Sequence, residues 1–146
     1  MNPLKPILLV EDDNVDAMTV KRAVKDLRLP NPVIHLYNGE EAVNYLCDDN
    51  SEKPFVVLLD LNMPKMSGLE FLKIVKANDE LRPIPVIVLT TSKEKHDVMD
   101  SFEHGAAGYM IKPVDYKRFT DVINTIISYW NLSETPKMLI LSKKDK

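Results

Sequence analysis

Three short apolar runs that end abruptly in polar residues constrain the fold of this chain more than any other feature. They occupy residues 7–10, 55–59 and 86–89. Apolar runs of this length, without alternation, are typical of strands buried on both faces of a parallel sheet. None is long enough to cross a membrane. The chain therefore has the strands of an α/β protein.

Helical patterns separate these runs, and two weaker strands complete the series. Residues 33–37 predict a strand near a sheet edge, and residues 109–111 predict a short fifth strand. A helix follows each strand; the fourth helix, at roughly 94–103, is charged, and the last begins near Asp115 and carries apolar residues three and four apart. Five alternating strand and helix units predict an α/β fold of one domain, a doubly wound parallel sheet covered by helices on both faces.

Polar side chains follow four of the five predicted strands. Glu11 and Asp12 follow the first strand, Asp60 the third, Thr90 the fourth and Lys112 the fifth. Ligands of open parallel sheets bind at the carboxyl ends of the strands. We call this edge of the sheet the rim, and we expect these side chains to meet there.

The residue types at the rim favour phosphoryl chemistry. Three carboxylates close together repel one another unless a cation lies among them, and oxygen ligands without His or Cys favour Mg²⁺. Lys112 and the hydroxyl group of Thr90 add groups that interact with a phosphoryl group. Asp60 is then the nucleophile that forms an acyl phosphate. Nucleotide binding is not supported, because no Gly-rich phosphate loop follows the first strand.

Each rim residue has a plainer interpretation when it is taken alone. The acids after the first strand resemble a solvated helix N-terminus, and Asp13 fits a capping role better than a site role. Asp60 is also compatible with a turn before a proline, Thr90 with a helix cap and Lys112 with the surface. The functional interpretation depends on their coincidence at one edge of the sheet.

The remaining histidines and methionines have structural interpretations. His35, His96 and His104 are scattered away from the predicted rim positions, so we expect surface or boundary roles for them. Met63 and Met66 flank the loop after Asp60, and packing is the expectation for both.

The overall composition excludes several classes of function. The net charge is −3 and the pI about 5.6, which predicts no nucleic-acid partner. Cys47 is the only cysteine, so neither an intrachain disulfide nor a CxxC metal site can form. The sequence MNPLKP has no signal-peptide pattern, so we expect a cytoplasmic protein without membrane association.

Four motifs, in order and at matching spacing, resemble the receiver domain of two-component response regulators, which is CheY-like, over about residues 5–131. They are ILLVEDD, LLDLNMPKMSG, VIVLTTS and GYMIKP. The resemblance implies a flavodoxin-like fold of five parallel strands in the order 2-1-3-4-5. It also implies that Asp60 accepts a phosphoryl group from a sensor histidine kinase.

The resemblance assigns a cation site. Asp12 and Asp60 are similar to the direct carboxylate ligands of Mg²⁺, and the backbone carbonyl of Asn62 completes the ligands from the protein. Glu11 stands where the family has an acid that usually acts through water.

The resemblance also assigns catalytic and switch residues. Lys112 is similar to the lysine that pairs with the phosphoacceptor and then with the phosphoryl group, and its bond to Pro113 resembles a cis peptide. Thr90 and Tyr109 are similar to the switch hydroxyl and the aromatic residue that turns inward with it. Two positions are similar to those that tune dephosphorylation, namely Asn62 and Ser92.

The division of the chain predicts how it signals. We expect a receiver domain at 1–131 and a short tail at 132–146 with no output domain, so the output should be a binding event with an unknown downstream protein. The resemblance implies that the binding surface is formed by residues 94–130. The resemblance implies that the chain is not an enzyme beyond catalysing its own phosphorylation and dephosphorylation. Apolar residues 138–141 suggest that the tail joins a partner or a second copy, or folds onto its own domain.

A finer resemblance concerns the subgroup. ELRPIPVIVLTTS and the pair Tyr129–Trp130 resemble small receivers paired with bacterial phytochromes. This resemblance implies a phytochrome as the sensor histidine kinase, and a homodimer.

Two alternatives belong to other classes of protein. A phosphatase of the haloacid dehalogenase type would want an aspartate two residues after its nucleophile, and this chain has Asn62 there. A flavodoxin-like FMN carrier would need a phosphate loop where this chain has acids. Within the family, a receiver that only binds, or one that passes the phosphoryl group along a phosphorelay, is the alternative.

Overall fold

The computed structural model describes residues 4–134, which form five strands and five helices in strict alternation. The strands are β1 (Ile7–Val10), β2 (Val33–Leu36), β3 (Val56–Leu59), β4 (Val86–Thr90) and β5 (Gly108–Ile111). The helices are α1 (Asn14–Asp26), α2 (Gly39–Cys47), α3 (Gly68–Ala77), α4 (Lys95–Glu103) and α5 (Tyr116–Leu132). Every predicted element is present.

The strands form one parallel sheet in the order β2-β1-β3-β4-β5, as predicted. All residues of β1, β3 and β4 are buried, which explains why their sequences are continuously apolar. The residues of β2 are half-buried, in agreement with its predicted position at an edge of the sheet.

Two apolar cores lie on opposite faces of the sheet. On one face, buried residues of α1 and α5 pack against side chains from β1, β3 and β4. On the other face, buried residues of α2 and α3 pack against the alternate side chains of the same strands. The predicted apolar stripe of α5 faces the first core: four of its residues are buried there and two are partly buried, namely Phe119, Ile123, Ile126 and Ile127, then Val122 and Trp130.

Side-chain caps fix where several helices begin. Asp13 Oδ1 accepts hydrogen bonds from the backbone N–H groups of Val15 (2.8 Å) and Asp16 (3.1 Å), which confirms its predicted capping role. Asn38, Ser67 and Asp115 cap α2, α3 and α5 in the same way. Caps of this kind typically contribute about 1 kcal/mol each.

The peptide bond before Pro113 differs from the expectation, and the apolar tail segment is not described. The bond between Lys112 and Pro113 is trans, as is every peptide bond in the described part of the chain, so the cis form implied by the resemblance is wrong here. The apolar segment at 138–141 lies outside the described residues. Between residues 4 and 134, no helix combines the length and the apolar character needed to cross a membrane.

Candidate functional site

The register of the sheet brings the predicted rim residues to one edge. Val10 pairs with Leu59, so Glu11 and Asp60 emerge side by side, and the Asp60 N–H group donates to the Val10 carbonyl at 3.1 Å. At the ends of β4 and β5, the Lys112 N–H group donates to the Thr90 carbonyl at 2.8 Å. The strands therefore deliver residues far apart in sequence to one place.

Three carboxylates form the centre of this edge. Glu11, Asp12 and Asp60 each offer one oxygen atom, and these atoms lie within 4.8 Å of one another. Glu11 is buried, Asp60 is half-buried and Asp12 is exposed. An all-oxygen set of carboxylates, open to solvent on the Asp12 side, suits a hard divalent cation that keeps some of its waters.

Glu11, one of the three carboxylates, has a clearly raised pKa. Burial raises its pKa to about 7 from an ordinary value of 4.5, the hydrogen bond from Lys112 opposes this change, and the negative charge of Asp60 adds to it. Without a cation, the Glu11 carboxylate therefore resists full ionisation near neutral pH.

Lys112 supplies the positive charge at the site, but its nearest partners differ from those expected. Its Nζ atom lies 2.6 Å from Glu11 Oε1 and 2.9 Å from Asp16 Oδ2, whereas Asp60 Oδ2 is 4.0 Å away. Burial lowers the pKa of Lys112, but the hydrogen bonds to Glu11 and Asp16 outweigh it and raise the pKa overall. Asp60 is thus the third partner of this lysine rather than the first.

Asp16 was not predicted as a site residue. It lies in the first turn of α1, four residues after Asp12, and its carboxylate is half-exposed beside Lys112. Its place in the first helical turn was visible in the sequence. The contact with a lysine 96 positions away was not.

The loop between β3 and α3 is pressed against Asp60. Gly68 donates its N–H to the Leu61 carbonyl at 3.0 Å, and a Cβ atom at Gly68 would lie 2.3 Å from the Asp60 carbonyl oxygen. Only glycine permits this approach. The N–H group of Asn62 points back to Asp60 Oδ1 at 3.4 Å, and the Asn62 residue is exposed. Both methionines of the loop pack against the core, as expected.

Thr90 is the last residue of β4 and is fully buried. It does not cap α4, because Glu94 holds that position and makes no side-chain cap. Its Oγ1 atom accepts a hydrogen bond from the N–H group of Ser92 at 3.4 Å. The plainer interpretation of Thr90 as a helix cap is therefore wrong.

Tyr109 and Ser92 connect this threonine to α4. The Tyr109 hydroxyl donates to the Ser92 carbonyl at 2.9 Å, and its ring packs partly buried against the core. Burial raises the pKa of Tyr109, so it stays a neutral donor. The Ser92 hydroxyl donates to Asp97 Oδ2 in the first turn of α4. Asp97 is a second residue that sequence reasoning missed, because nothing in its local pattern pointed to Ser92.

The histidines take boundary and surface positions, with one closer to the rim than expected. His35 is half-buried in β2, and its Nε2 atom lies 2.7 Å from the Glu11 carbonyl oxygen. His96 is exposed beside Asp97, and the ring of His104 contacts the carbonyl of Asp100 in its own helix.

Comparison with known proteins defines the class. The profile of the response regulator receiver domain matches residues 7–124, and the chain belongs to this family. It is a family of signalling domains, which sets the chain apart from the haloacid dehalogenase and flavodoxin alternatives.

Particular relatives refine this assignment. The chain is 38% identical over 133 residues to response regulator Rcp1 of Synechocystis, covering 88% of this chain and 90% of that protein. It resembles the phosphorylated cyanobacterial phytochrome response regulator RcpA (TM-score 0.85, 31% identity, 92% and 99% covered). It also resembles the bacteriophytochrome response regulator AtBRR (TM-score 0.71, 40% identity, 84% and 92% covered). The predicted family and the predicted likeness to phytochrome response regulators are both confirmed.

Proposed function

We propose that this chain is a single-domain response regulator that accepts a phosphoryl group on Asp60 from a sensor histidine kinase in a Mg²⁺-dependent reaction. The observation that supports this most directly is the convergence of Glu11, Asp12 and Lys112 around the half-buried Asp60 carboxylate. Phosphoryl transfer needs little beyond an aligned nucleophile and neutralised charge, and this arrangement supplies both.

The proposed reaction uses Asp60 as the nucleophile. One carboxylate oxygen attacks phosphorus, the bond from phosphorus to the donor's histidine nitrogen breaks, and that nitrogen takes up a proton from solvent. Glu11, Asp12, Asp60 and the Asn62 carbonyl would hold Mg²⁺, which neutralises charge on the phosphoryl oxygens. Lys112 lies 4.0 Å from Asp60, so a small side-chain movement away from Asp16 brings it to the new phosphoryl group.

The output would travel through Thr90 and Tyr109. A phosphoryl group on Asp60 offers the Thr90 hydroxyl a charged acceptor, and movement of Thr90 changes its contact with Ser92. Ser92 in turn contacts both Tyr109 and the first turn of α4. We expect the surface of residues 94–130 to bind the downstream protein, and it exposes apolar side chains at Met99, Phe102 and Ile111.

The proposed partners of this chain are a phytochrome kinase and a second copy of the chain. RcpA and AtBRR, which this chain resembles, are phytochrome response regulators, and this likeness supports a phytochrome as the sensor kinase of this chain. A homodimer is proposed as well, and its test is sedimentation velocity of the full chain with and without phosphodonor. Deleting residues 133–146 should leave folding intact and weaken self-association, whereas an unchanged profile would refute the role of the tail.

Two alternatives within the family remain testable. A receiver that only binds its partners would not need the complete set of acids and lysine seen around Asp60. A phosphorelay intermediate would pass its phosphoryl group to a second histidine protein, so a loss of label from Asp60 that depends on such a protein would favour that role.

The main experiment is intact-mass analysis after incubation with acetyl phosphate. With Mg²⁺ we expect one added phosphoryl group, and with EDTA none. Asp60→Asn should abolish the addition, whereas Asp49→Asn, which changes an exposed loop carboxylate, should leave it unchanged. Labelling that persists in Asp60→Asn would overturn the assignment of the phosphoacceptor.

A second experiment addresses the kinase. A purified phytochrome histidine kinase, prephosphorylated with ATP, should label the chain much faster than an unrelated histidine kinase does under the same conditions. Equal rates from both kinases would remove the support for a phytochrome partner and leave the phosphoacceptor assignment intact.

A further inference from the structure

The ring of His35 contacts the main chain of a predicted cation ligand. Its Nε2 atom lies 2.7 Å from the carbonyl oxygen of Glu11. A carbonyl oxygen can only accept a hydrogen bond, so Nε2 carries the hydrogen and donates it. This contact is not part of the sheet ladder, since it is made by a side chain.

Residues at the end of β2 therefore hold Glu11 on both sides of its peptide backbone. The Glu11 N–H group donates to the Leu36 carbonyl at 3.0 Å, and the Glu11 carbonyl accepts from His35. One carboxylate oxygen of Glu11 in turn accepts from the N–H group of Asp13 at 3.2 Å. The short segment that carries Asp12 is thus fixed through Glu11.

These hydrogen bonds to Glu11 oppose the repulsion among the carboxylates of the rim. Glu11, Asp12 and Asp60 bring carboxylate oxygens within 4.8 Å of one another, and their repulsion favours moving the segment after β1 away from Asp60. The neighbouring strand β2 lies at the sheet edge and is only half-buried, so it constrains this segment less than a central strand would. The His35 ring also contacts the Tyr37 ring, with centroids 4.1 Å apart and planes tilted by 43°, and this contact limits movement of the imidazole.

We propose that His35 is a positioning residue of the cation site: its hydrogen bond to the Glu11 carbonyl holds Glu11 and Asp12 where their oxygens converge with that of Asp60. This inference rests on the proposed cation site. Hydrogen bonds that orient metal ligands commonly change metal affinity by about tenfold or more when they are removed. By linkage, a bound cation should in turn strengthen the contact between His35 and Glu11.

The test compares two variants by isothermal titration calorimetry with Mg²⁺ at pH 8. His35→Phe keeps an aromatic ring beside Tyr37 and loses the donor, and we expect its Mg²⁺ affinity to fall about tenfold. His35→Gln keeps an N–H donor at a similar reach, and its affinity should stay within about threefold of the original. Urea unfolding of each variant establishes that it is folded.

The outcomes separate this inference from the proposed function. If the original chain binds Mg²⁺ and the Phe variant binds it equally well, the inference is wrong and the proposed function stands. It is also wrong if the Gln and Phe variants lose affinity equally. If the original chain binds no Mg²⁺, the proposed cation site itself fails.

A second measurement does not involve a variant. Long-range ¹H–¹⁵N correlation spectra of the histidines should show His35 with its hydrogen on Nε2, and its Nε2 resonance should shift when Mg²⁺ is added. His96, whose side chain is 72% exposed, serves as the internal control and should not shift. A His35 ring with its hydrogen on Nδ1 alone would overturn the inference.

Discussion

The two sides of the rim differ in the interactions that hold them together: crowded charges on one side and hydrogen bonds on the other. The acidic side consists of Glu11, Asp12, Asp60 and Lys112. Charges of the same sign crowd together there, and the one ammonium group lies 2.6 Å from Glu11 and 4.0 Å from Asp60. The hydroxyl side consists of Thr90, Ser92, Tyr109 and Asp97, and single hydrogen bonds connect these residues through Ser92.

This difference separates sensing from transmission. The acidic side holds unresolved repulsion, so a cation or a phosphoryl group changes its energy strongly. On the hydroxyl side no like charges are crowded together, and Thr90, Ser92 and Tyr109 already take part in hydrogen bonds. This side therefore responds only when the acidic side offers Thr90 a better partner.

The largest expected effect comes from removing the lysine. Lys112→Met should lower the free energy of unfolding in EDTA by roughly 3 kcal/mol, because it leaves the buried Glu11 carboxylate without a counter-charge. Added Mg²⁺ should restore most of this loss. The measurement is urea unfolding with and without Mg²⁺, with exposed Lys93→Met as the control. A Lys112→Met variant that is as stable as the original chain in EDTA would contradict the account of the acidic side.

The second effect is the pH dependence of cation binding. Mg²⁺ competes with the proton that Glu11 binds with a pKa of about 7, so affinity should fall by up to about tenfold per pH unit below that value. In the cation-free chain this raised pKa favours folding below pH 4.5, and that contribution is lost as the pH rises through about 7. Calorimetric titrations with Mg²⁺ from pH 6 to pH 8 measure the change in affinity. Glu11→Gln should make the Mg²⁺ affinity nearly independent of pH over this range.

The smallest effect belongs to the hydroxyl side. Tyr109→Phe keeps the ring packing and removes only the hydrogen bond to the Ser92 carbonyl, so the free energy of unfolding should fall by about 1 kcal/mol. Its Mg²⁺ affinity should be unchanged. A large change in affinity would show that the two sides are not separate in the unphosphorylated chain.

Much of this arrangement could be predicted from the sequence, because it follows from strand burial. The continuous apolar runs identified the three central strands, and the weaker run at 33–37 identified an edge strand. Once a parallel sheet is predicted, Asp60 and Thr90 have to emerge at the same edge. The rim followed from the topology, without knowledge of any side-chain contact.

The partners of individual side chains could not be predicted in this way. Lys112 pairs with Asp16, and Ser92 pairs with Asp97, because particular rotamers meet across elements distant in sequence or across a loop. His35 was expected at a boundary, and only the three-dimensional structure places its ring on the Glu11 carbonyl. Periodicity identifies which face a residue occupies, but it does not identify which polar atom the side chain meets there.

The most direct test of the central claim is to locate the acyl phosphate. Borohydride reduction converts a phosphorylated aspartate to homoserine, and peptide mass spectrometry then identifies its position. After incubation with acetyl phosphate and Mg²⁺, we predict homoserine at position 60 alone, and none when EDTA is present. Homoserine at another acidic position, or a yield at position 60 that does not depend on Mg²⁺, would contradict the account.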